Sequence, residues 1–440
     1  MRYRTARPLP LLLGIIIGSL LCACSNSEGV DGDSALGWNS EDSAYDIRTV
    51  ENPLTDSTDS QDSVPPIIEY LPLNDSEYPY AGIPRIVIET ENHREIKDRE
   101  TEIPARLQIW GEHAPESEVM ELTIRGRGNE SWWHPKKPYA IKFEKKQALL
   151  GMPKAKKWVM LANYRDRTLI RNALALEIAR QTSQEWTPQG RFIEVFLNKK
   201  FIGNYYICEK IEIKENRLNL DSNGYLLEFD TYFDEEHKFR SKYLDLPINI
   251  KHPKELTEKQ FKHIQNYIDT IECALYGNCS VIDYKKYLDL KALASFWIIQ
   301  EISQNTEAKH PKSVFAYKDT ILKFGPAWDF DWQTFSTKRK GLIMGKALWF
   351  PKLQDKKDFK EAVRDEWNRA EKKLQSLTKF IDSLANYTKE SNARNFMLWG
   401  INITNGFVGD EEEDFPTAIR MMKNAYLGRL SELNELWNTP

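Results

Sequence analysis

From Pro84 to about Phe143, apolar and polar residues alternate in short runs. Arg85-Ile86-Val87-Ile88-Glu89, Ala105-Arg106-Leu107-Gln108-Ile109, Glu121-Leu122-Thr123-Ile124-Arg125 and Pro138-Tyr139-Ala140-Ile141-Lys142-Phe143 each put every second side chain on one face, the period of a half-buried strand. Trp158 to Leu161 is a further apolar strand. The period then changes. After Asp166, a residue type that caps helices, Ile170, Ala173, Leu174 and Ile178 form a helical stripe that predicts a helix to about Gln181. Glu177 lies on that apolar stripe, where a carboxylate needs a partner. Strand patterns resume at Phe192–Leu197, Asn204–Ile211 and Tyr225–Phe229. Beyond about residue 255 the pattern is helical over 255–276, 284–304, 355–388 and 413–437, interrupted by a hairpin at Ser313–Tyr317 and Ile321–Phe324. The expectation is an α+β protein of two lobes, β-rich over about 81–230 and mainly helical over about 231–440.

The first residues follow neither period. Arg2, Arg4 and Arg7 precede a short apolar run, Leu11 to Leu21, which is too short to span a bilayer. Leu21-Cys22-Ala23-Cys24 resembles a bacterial lipobox. That resemblance implies a signal peptide over 1–23, cleavage before Cys24, and acyl chains such as palmitate on its thiol, holding the protein at the membrane of the cell envelope. Ser25, rather than Asp, favours the outer membrane in a diderm host. Residues 25–66 hold ten acidic residues and one basic residue, Arg48. So polar a segment buries too little apolar surface to order itself, so a tether over about 24–80 is expected. The remaining 374 residues carry 57 Lys+Arg and 55 Asp+Glu, so the overall charge of −4 belongs to the tether. That near-balance excludes a nucleic-acid-binding domain of the basic kind. Cys273 and Cys279 flank a short loop and form a candidate disulfide in an oxidising compartment, while Cys208 sits in an apolar run as a buried thiol.

Candidate chemistry concentrates around Asp329 and Asp331. In an extended segment, residues two apart share a face, and two carboxylates walled by Trp328, Phe330 and Trp332 repel unless a cation lies between them. Oxygen ligands favour Mg²⁺, Mn²⁺ or Ca²⁺ over zinc. Upstream, Asn305 is a candidate second metal ligand, Glu307 a candidate proton acceptor, and Lys309 and Lys312 candidate phosphate contacts. Arg127 and Gly128 lie in a glycine-containing loop after a strand, where backbone amides can approach an anion. The order of this loop, then strand Lys142, then helical Glu177 is that of a kinase small lobe, in which a Lys–Glu pair positions nucleotide phosphates.

At these residues the chain resembles the CotH kinase family, the spore coat protein H-like atypical kinases. The resemblance rests on Arg127-Gly128-Asn129-Glu130-Ser131-Trp132, Pro135-Lys136-Lys137-Pro138-Tyr139-Ala140-Ile141-Lys142-Phe143, Leu149-Leu150-Gly151-Met152-Pro153, Trp158 to Asn163 and Thr168-Leu169-Ile170-Arg171-Asn172. Gly224-Tyr225-Leu226-Leu227-Glu228-Phe229-Asp230, Glu301-Ile302-Ser303-Gln304-Asn305 and Gly325-Pro326-Ala327-Trp328-Asp329-Phe330-Asp331 extend it to roughly residues 84–430. It implies a bilobal kinase-like fold and transfer of the ATP γ-phosphate to protein Ser/Thr with a divalent metal. Asp329 would be the metal-binding aspartate, and Asn305 and Glu307 would fall in the catalytic loop. The chain departs from many members in having Glu307 rather than Asp. A second reading is therefore a kinase-like module with little or no catalysis that binds surface or extracellular proteins. A third is metal-dependent hydrolysis at the acidic pair.

Overall fold

The computed structural model describes residues 69–400 and 408–438. The expected signal peptide, Cys24 and most of the expected tether lie outside these residues.

The first half runs β1 (Arg85–Thr90), β2 (Ile103–Trp110), β3 (Met120–Gly126), α1 (Glu130–Trp133), β4 (Tyr139–Gln147), β5 (Ala155–Leu161), α2 (Arg171–Gln181), β6 (Gly190–Leu197) and β7 (Lys200–Glu209). These strands close into a barrel in the order β1-β2-β3-β4-β5-β7-β6. All neighbours are antiparallel except the closing pair, β1 and β6. The alternation read from sequence explains the closure. Ile86, Ile88, Leu107, Ile124, Ile141, Phe143, Trp158 and Ile193 point inward and form one core.

The second half adds β8 (Tyr225–Phe229), β9 (Lys238–Arg240), β10 (Pro247–His252), α3 (Glu258–Tyr276), α4 (Leu290–Ser303), β11 (Val314–Lys318), β12 (Leu322–Phe324), α5 (Phe350–Leu353), α6 (Lys357–Trp399) and α7 (Phe415–Asn438). Its strands form a separate sheet in the order β12-β11-β8-β10-β9. The inward face of that sheet, α2, the long helices and the outward-facing Val159, Phe192, Tyr206 and Cys208 of the barrel share a second, larger core. Helix α6 joins the halves. Its Ser391 hydroxyl receives a 3.0 Å bond from Asn204 Nδ2, and its Trp399 indole donates to the Ile202 carbonyl at 3.1 Å.

The β-rich first half and helix-rich second half agree with expectation, but several boundaries do not. Residues 69–80, assigned to the tether, pack on the barrel. The Leu71 N–H donates to Gln108 Oε1 at 2.9 Å, and Tyr78 stacks on Phe201 with ring centroids 4.5 Å apart. The apolar Leu71, Leu73 and Tyr78 reward ordering where the more acidic stretch before them offers nothing to bury. Strand β8, assigned by sequence to the β-rich lobe, lies outside the barrel and pairs with β10 and β11. Strands β9 and β10 were not expected; β9 is only three residues long, and β10 offers a single short Ile-Asn-Ile alternation. The helix expected from Asp166 begins at Arg171, because Leu169 takes a left-handed conformation (φ 59°) that breaks it. Asp166 still serves the helix, its Oδ2 accepting the Arg171 N–H at 2.8 Å. Cys273 and Cys279 are disulfide-bonded across the loop after α3, with Cα atoms 5.3 Å apart, and Cys208 is a buried free thiol.

Candidate functional site

Helix α4 ends where Gln304 turns left-handed, with φ 54°. Its terminus is secured from beneath. Glu301 is fully buried, pairs with Arg429, and accepts the backbone N–H groups of Ile343 and Met344 at 2.8 Å each. Asn305 follows, with its Oδ1 accepting the Glu307 N–H at 3.0 Å. That bond makes Asn305 a residue that sets the turn carrying Glu307 and uses one lone pair of the oxygen expected to reach a second metal. The Glu307 carboxyl is thereby buried and directed towards Asp329 and Asp331.

The aspartates meet for a different reason from the one sequence suggested. The segment is not extended, since Asp329 sits in the left-handed region with φ 68°. This turn is held by α2, where Asn172 Oδ1 accepts the Phe330 N–H at 2.8 Å while Asn172 Nδ2 donates to Asn163 Oδ1 at 2.9 Å. Phe330 inserts into the larger core, leaving the flanking aspartates partly exposed and within hydrogen-bonding reach of each other.

The electrostatics follow from this crowding. Burial, and then Asp329, push the Glu307 carboxyl well above its ordinary value, with Asp331 and Asp230 adding to the rise and Lys312 opposing it. Burial raises Asp329 against the pull of Arg127. Asp331 is pushed up to about 8 by burial, by Asp329 and by Asp166. Asp230, at the end of β8, is raised to about 6 by burial although it accepts the N–H groups of Tyr232 and Ser313 at 2.8 and 3.1 Å. Two cations border the group. Arg127 lies over the Trp328 ring at 6.0 Å and Lys312 over the Trp332 ring at 5.7 Å.

The loop after β3 supplies Arg127. Gly128 has φ +78°, and a Cβ there would come within 2.0 Å of Ser131 Oγ, so the turn requires glycine. Its carbonyl accepts from Arg99 Nη1 at 3.0 Å, which anchors the loop.

Structure brings Arg127, Glu307, Asp329 and Asp331 together. It does not bring Lys142 and Glu177 together. Lys142 points outward from β4 and pairs with Glu102 at 3.8 Å, both half-exposed. Glu177 pairs with Arg180 of its own helix at 2.8 Å and accepts from Gln181 Nε2 at 2.6 Å. The expected ion pair is therefore absent, because Glu177 satisfies itself within one turn of helix. Lys309 is partly exposed and is not among the charges that shift these carboxyls, whereas Lys312 is. Asp230 was missed as a site residue. Its only signal was its place at the end of the Leu-Leu-Glu-Phe-Asp run.

Among the described residues, no three His, Cys, Asp or Glu side chains form a complete metal-ligand set. The acids nevertheless suit a hard cation. Mg²⁺ is usually held by one or two carboxylates while phosphate oxygens and water complete its octahedron. Asp329 and Asp331 are partly exposed, mutually repelling and bordered by cations, which fits that mode.

The chain is thus a mixed α+β protein with a carboxylate cluster flanked by Arg127 and Lys312, beside a glycine-containing loop. A family model described as CotH kinase protein matches residues 124–423, and the chain belongs to the CotH kinase family. No curated protein matches the chain.

Proposed function

We propose that this protein is an atypical kinase with a bilobal kinase-like arrangement that transfers the γ-phosphate of ATP to a protein Ser or Thr. The observation that carries this reading is the convergence of Glu307, Asp329 and Asp331 at a partly open position bordered by Arg127 and Lys312. Asp329 and Asp331 would hold Mg²⁺ or Mn²⁺, which when bound neutralises the developing phosphate charge. Arg127, held by the anchored loop and by Trp328, contributes positive charge to the same end. Glu307, with its carboxyl pushed up by burial and then by Asp329, is placed to accept the proton of an attacking hydroxyl once a cation offsets the neighbouring aspartates. Asn305 keeps Glu307 in place by accepting its N–H.

Transfer of labelled γ-phosphate to a generic protein acceptor, with Mg²⁺ or Mn²⁺, is expected from wild type and lost in Asp329→Asn. Equal labelling by both would remove these residues from the mechanism. A binding module without catalysis would show no rise in melting temperature with ATP and metal.

We also propose export and lipidation at Cys24, supported by the Leu-Cys-Ala-Cys pattern and the acidic segment after it. The catalytic body would then face partners in the cell envelope. Incorporation of labelled palmitate that survives Cys24→Ser would disprove this assignment.

A further inference from the structure

A basic segment borders the turn that carries Glu307 and has no part in the chemistry above. Residues 337–342 follow the Asp331 loop and read Thr-Lys-Arg-Lys-Gly-Leu, with Lys338 and Lys340 exposed and Arg339 half-buried. Arg339 ties the segment to the turn. Its guanidinium donates to the Gln304 carbonyl at 3.0 Å, to the Gln333 carbonyl, and to Gln333 Oε1 at 3.0 Å. The same Oε1 accepts from the hydroxyl of Thr306, the residue before Glu307, at 3.0 Å. All these partners are uncharged, and a guanidinium held by uncharged oxygens alone keeps its charge for a further partner. Lys338 lies 3.8 Å from Glu411, whose carboxylate also accepts the N–H groups of Val408 and Gly409. Glu432 meets the segment only at the Gly341 N–H and is itself paired with Arg429. Among the described residues Lys340 forms no ion pair. Lys309 adds a partly exposed cation on the turn itself.

The chain carries a segment of complementary charge. Residues 55–63 read Thr-Asp-Ser-Thr-Asp-Ser-Gln-Asp-Ser, hydroxyls interleaved with aspartates and without a basic residue. They lie outside the described residues and lead to Glu69, whose carboxylate pairs with Arg106 of β2. From Thr55 to Glu69 the chain can extend up to about 50 Å. The radius of gyration of a body of this size is only about 21 Å. The segment is therefore long enough to reach the edge of the acidic cluster within one molecule.

We propose that the basic edge formed by Lys338, Arg339 and Lys340 docks the acidic residues 55–63 of the same chain and presents their hydroxyls to Glu307 as phosphate acceptors. The docking stands on the charges just described, and the acceptor role rests on the kinase reading above. Asp56, Asp59 and Asp62 meet the cations, which leaves the intervening Ser57, Thr58 and Ser60 to approach the turn. In the transfer, the hydroxyl oxygen bonds to the γ-phosphorus of ATP and the bond from that phosphorus to the bridging oxygen breaks. ADP leaves with the electron pair, and the hydroxyl proton passes to Glu307.

Two measurements on the full chain test this. Carbodiimide coupling of carboxylates to amines, mapped by mass spectrometry in dilute protein, reads docking without catalysis. Asp56, Asp59 or Asp62 joined to Lys338 or Lys340 is expected, with a steep fall in yield at high salt. Incubation with labelled ATP and Mg²⁺, followed by mapping of the label, reads transfer. Label on residues 55–63 is expected in wild type. It should drop by about tenfold in the exposed double variant Lys338→Glu/Lys340→Glu, while labelling of a generic protein acceptor by that variant stays at the wild-type level. Absence of the cross-links overturns the docking. Labelling of the generic acceptor but not of residues 55–63 overturns the acceptor role, as does equal labelling of the segment in wild type and variant. Cross-links without labelling of any acceptor would support the docking edge and overturn the kinase reading together with the acceptor role, so the two failures are distinguishable.

Discussion

Two charge clusters lie side by side in this protein, one fully buried and one partly open, and they are built on opposite principles. In the first, Arg171 is fully buried between Asp166 and Asp410, and its Nε donates to the Thr334 carbonyl at 3.2 Å. Each carboxylate faces the guanidinium. In the second, Glu307, Asp329 and Asp331 face one another, and their cations stand at the border. The two are close enough for Asp166 to raise Asp331. The balanced cluster ties α2 to the loops around Thr334 and Asp410 and needs nothing further. The unbalanced one is tolerated because the first holds its loop in place, and under the proposed function a bound cation would offset its repulsion. Burial alone therefore does not distinguish a structural from a functional acid, but the charge facing it does.

Breaking the balanced cluster should have the largest effect. Arg171→Met leaves two carboxylates without their shared partner, and a loss of roughly 3–5 kcal/mol is expected, read as a large drop in the denaturation midpoint. A variant as stable as wild type would show that the two clusters do not differ in kind. Next comes the link between them. Asn172→Ala removes the acceptor of the Phe330 N–H, at a cost of about 1–3 kcal/mol, and should lower metal-dependent transfer together with stability. Stability lost with full transfer retained would uncouple the loop from the chemistry.

The unbalanced cluster should respond with the opposite sign. Asp331 rises from 3.8 to about 8 on folding. Over that window the native state keeps a proton that the unfolded chain has released, so its contribution to stability declines as pH rises. Metal-free protein should therefore melt at lower temperature at pH 8 than at pH 6. Asp331→Asn, or saturating Mg²⁺, should reduce the difference, and an unchanged profile would argue against a strained carboxylate. The smallest effect belongs to Lys142. Its pair with Glu102 is exposed, so Lys142→Ala should alter stability by less than about 1 kcal/mol. A loss of several kcal/mol would mean that Lys142 has a buried carboxylate partner after all.

Much of this protein was legible along the chain. Alternation located the barrel strands because each inward residue meets a closed core and each outward one meets water or helices. Helical periodicity located α3, α4, α6 and α7 for the same reason. The motif at Asp329 and Asp331 and the loop at Arg127 stood out because clustered acids and glycine-bounded cations are rarely neutral choices. Strands β9 and β10 went unread: β9 is only three residues long, and β10 is a short run edged by Lys251 and His252 whose pairing with β8 and β9 no local pattern announces.

What the sequence by itself determined is the set of local preferences: which segments alternate, which wind, and which residues carry charge. Family membership follows from those same ordered motifs. Only the tertiary structure decided which charges face each other. It paired Glu177 with Arg180 rather than Lys142, turned Asp329 left-handed beneath Asn172, and set Lys142 facing outward beside Glu102. The reason is physical. A side chain's partner is set by loop closure and register over separations that no local pattern encodes, and in a low-dielectric interior that partner decides whether a carboxylate is balanced and anchors the fold or is left facing other acids.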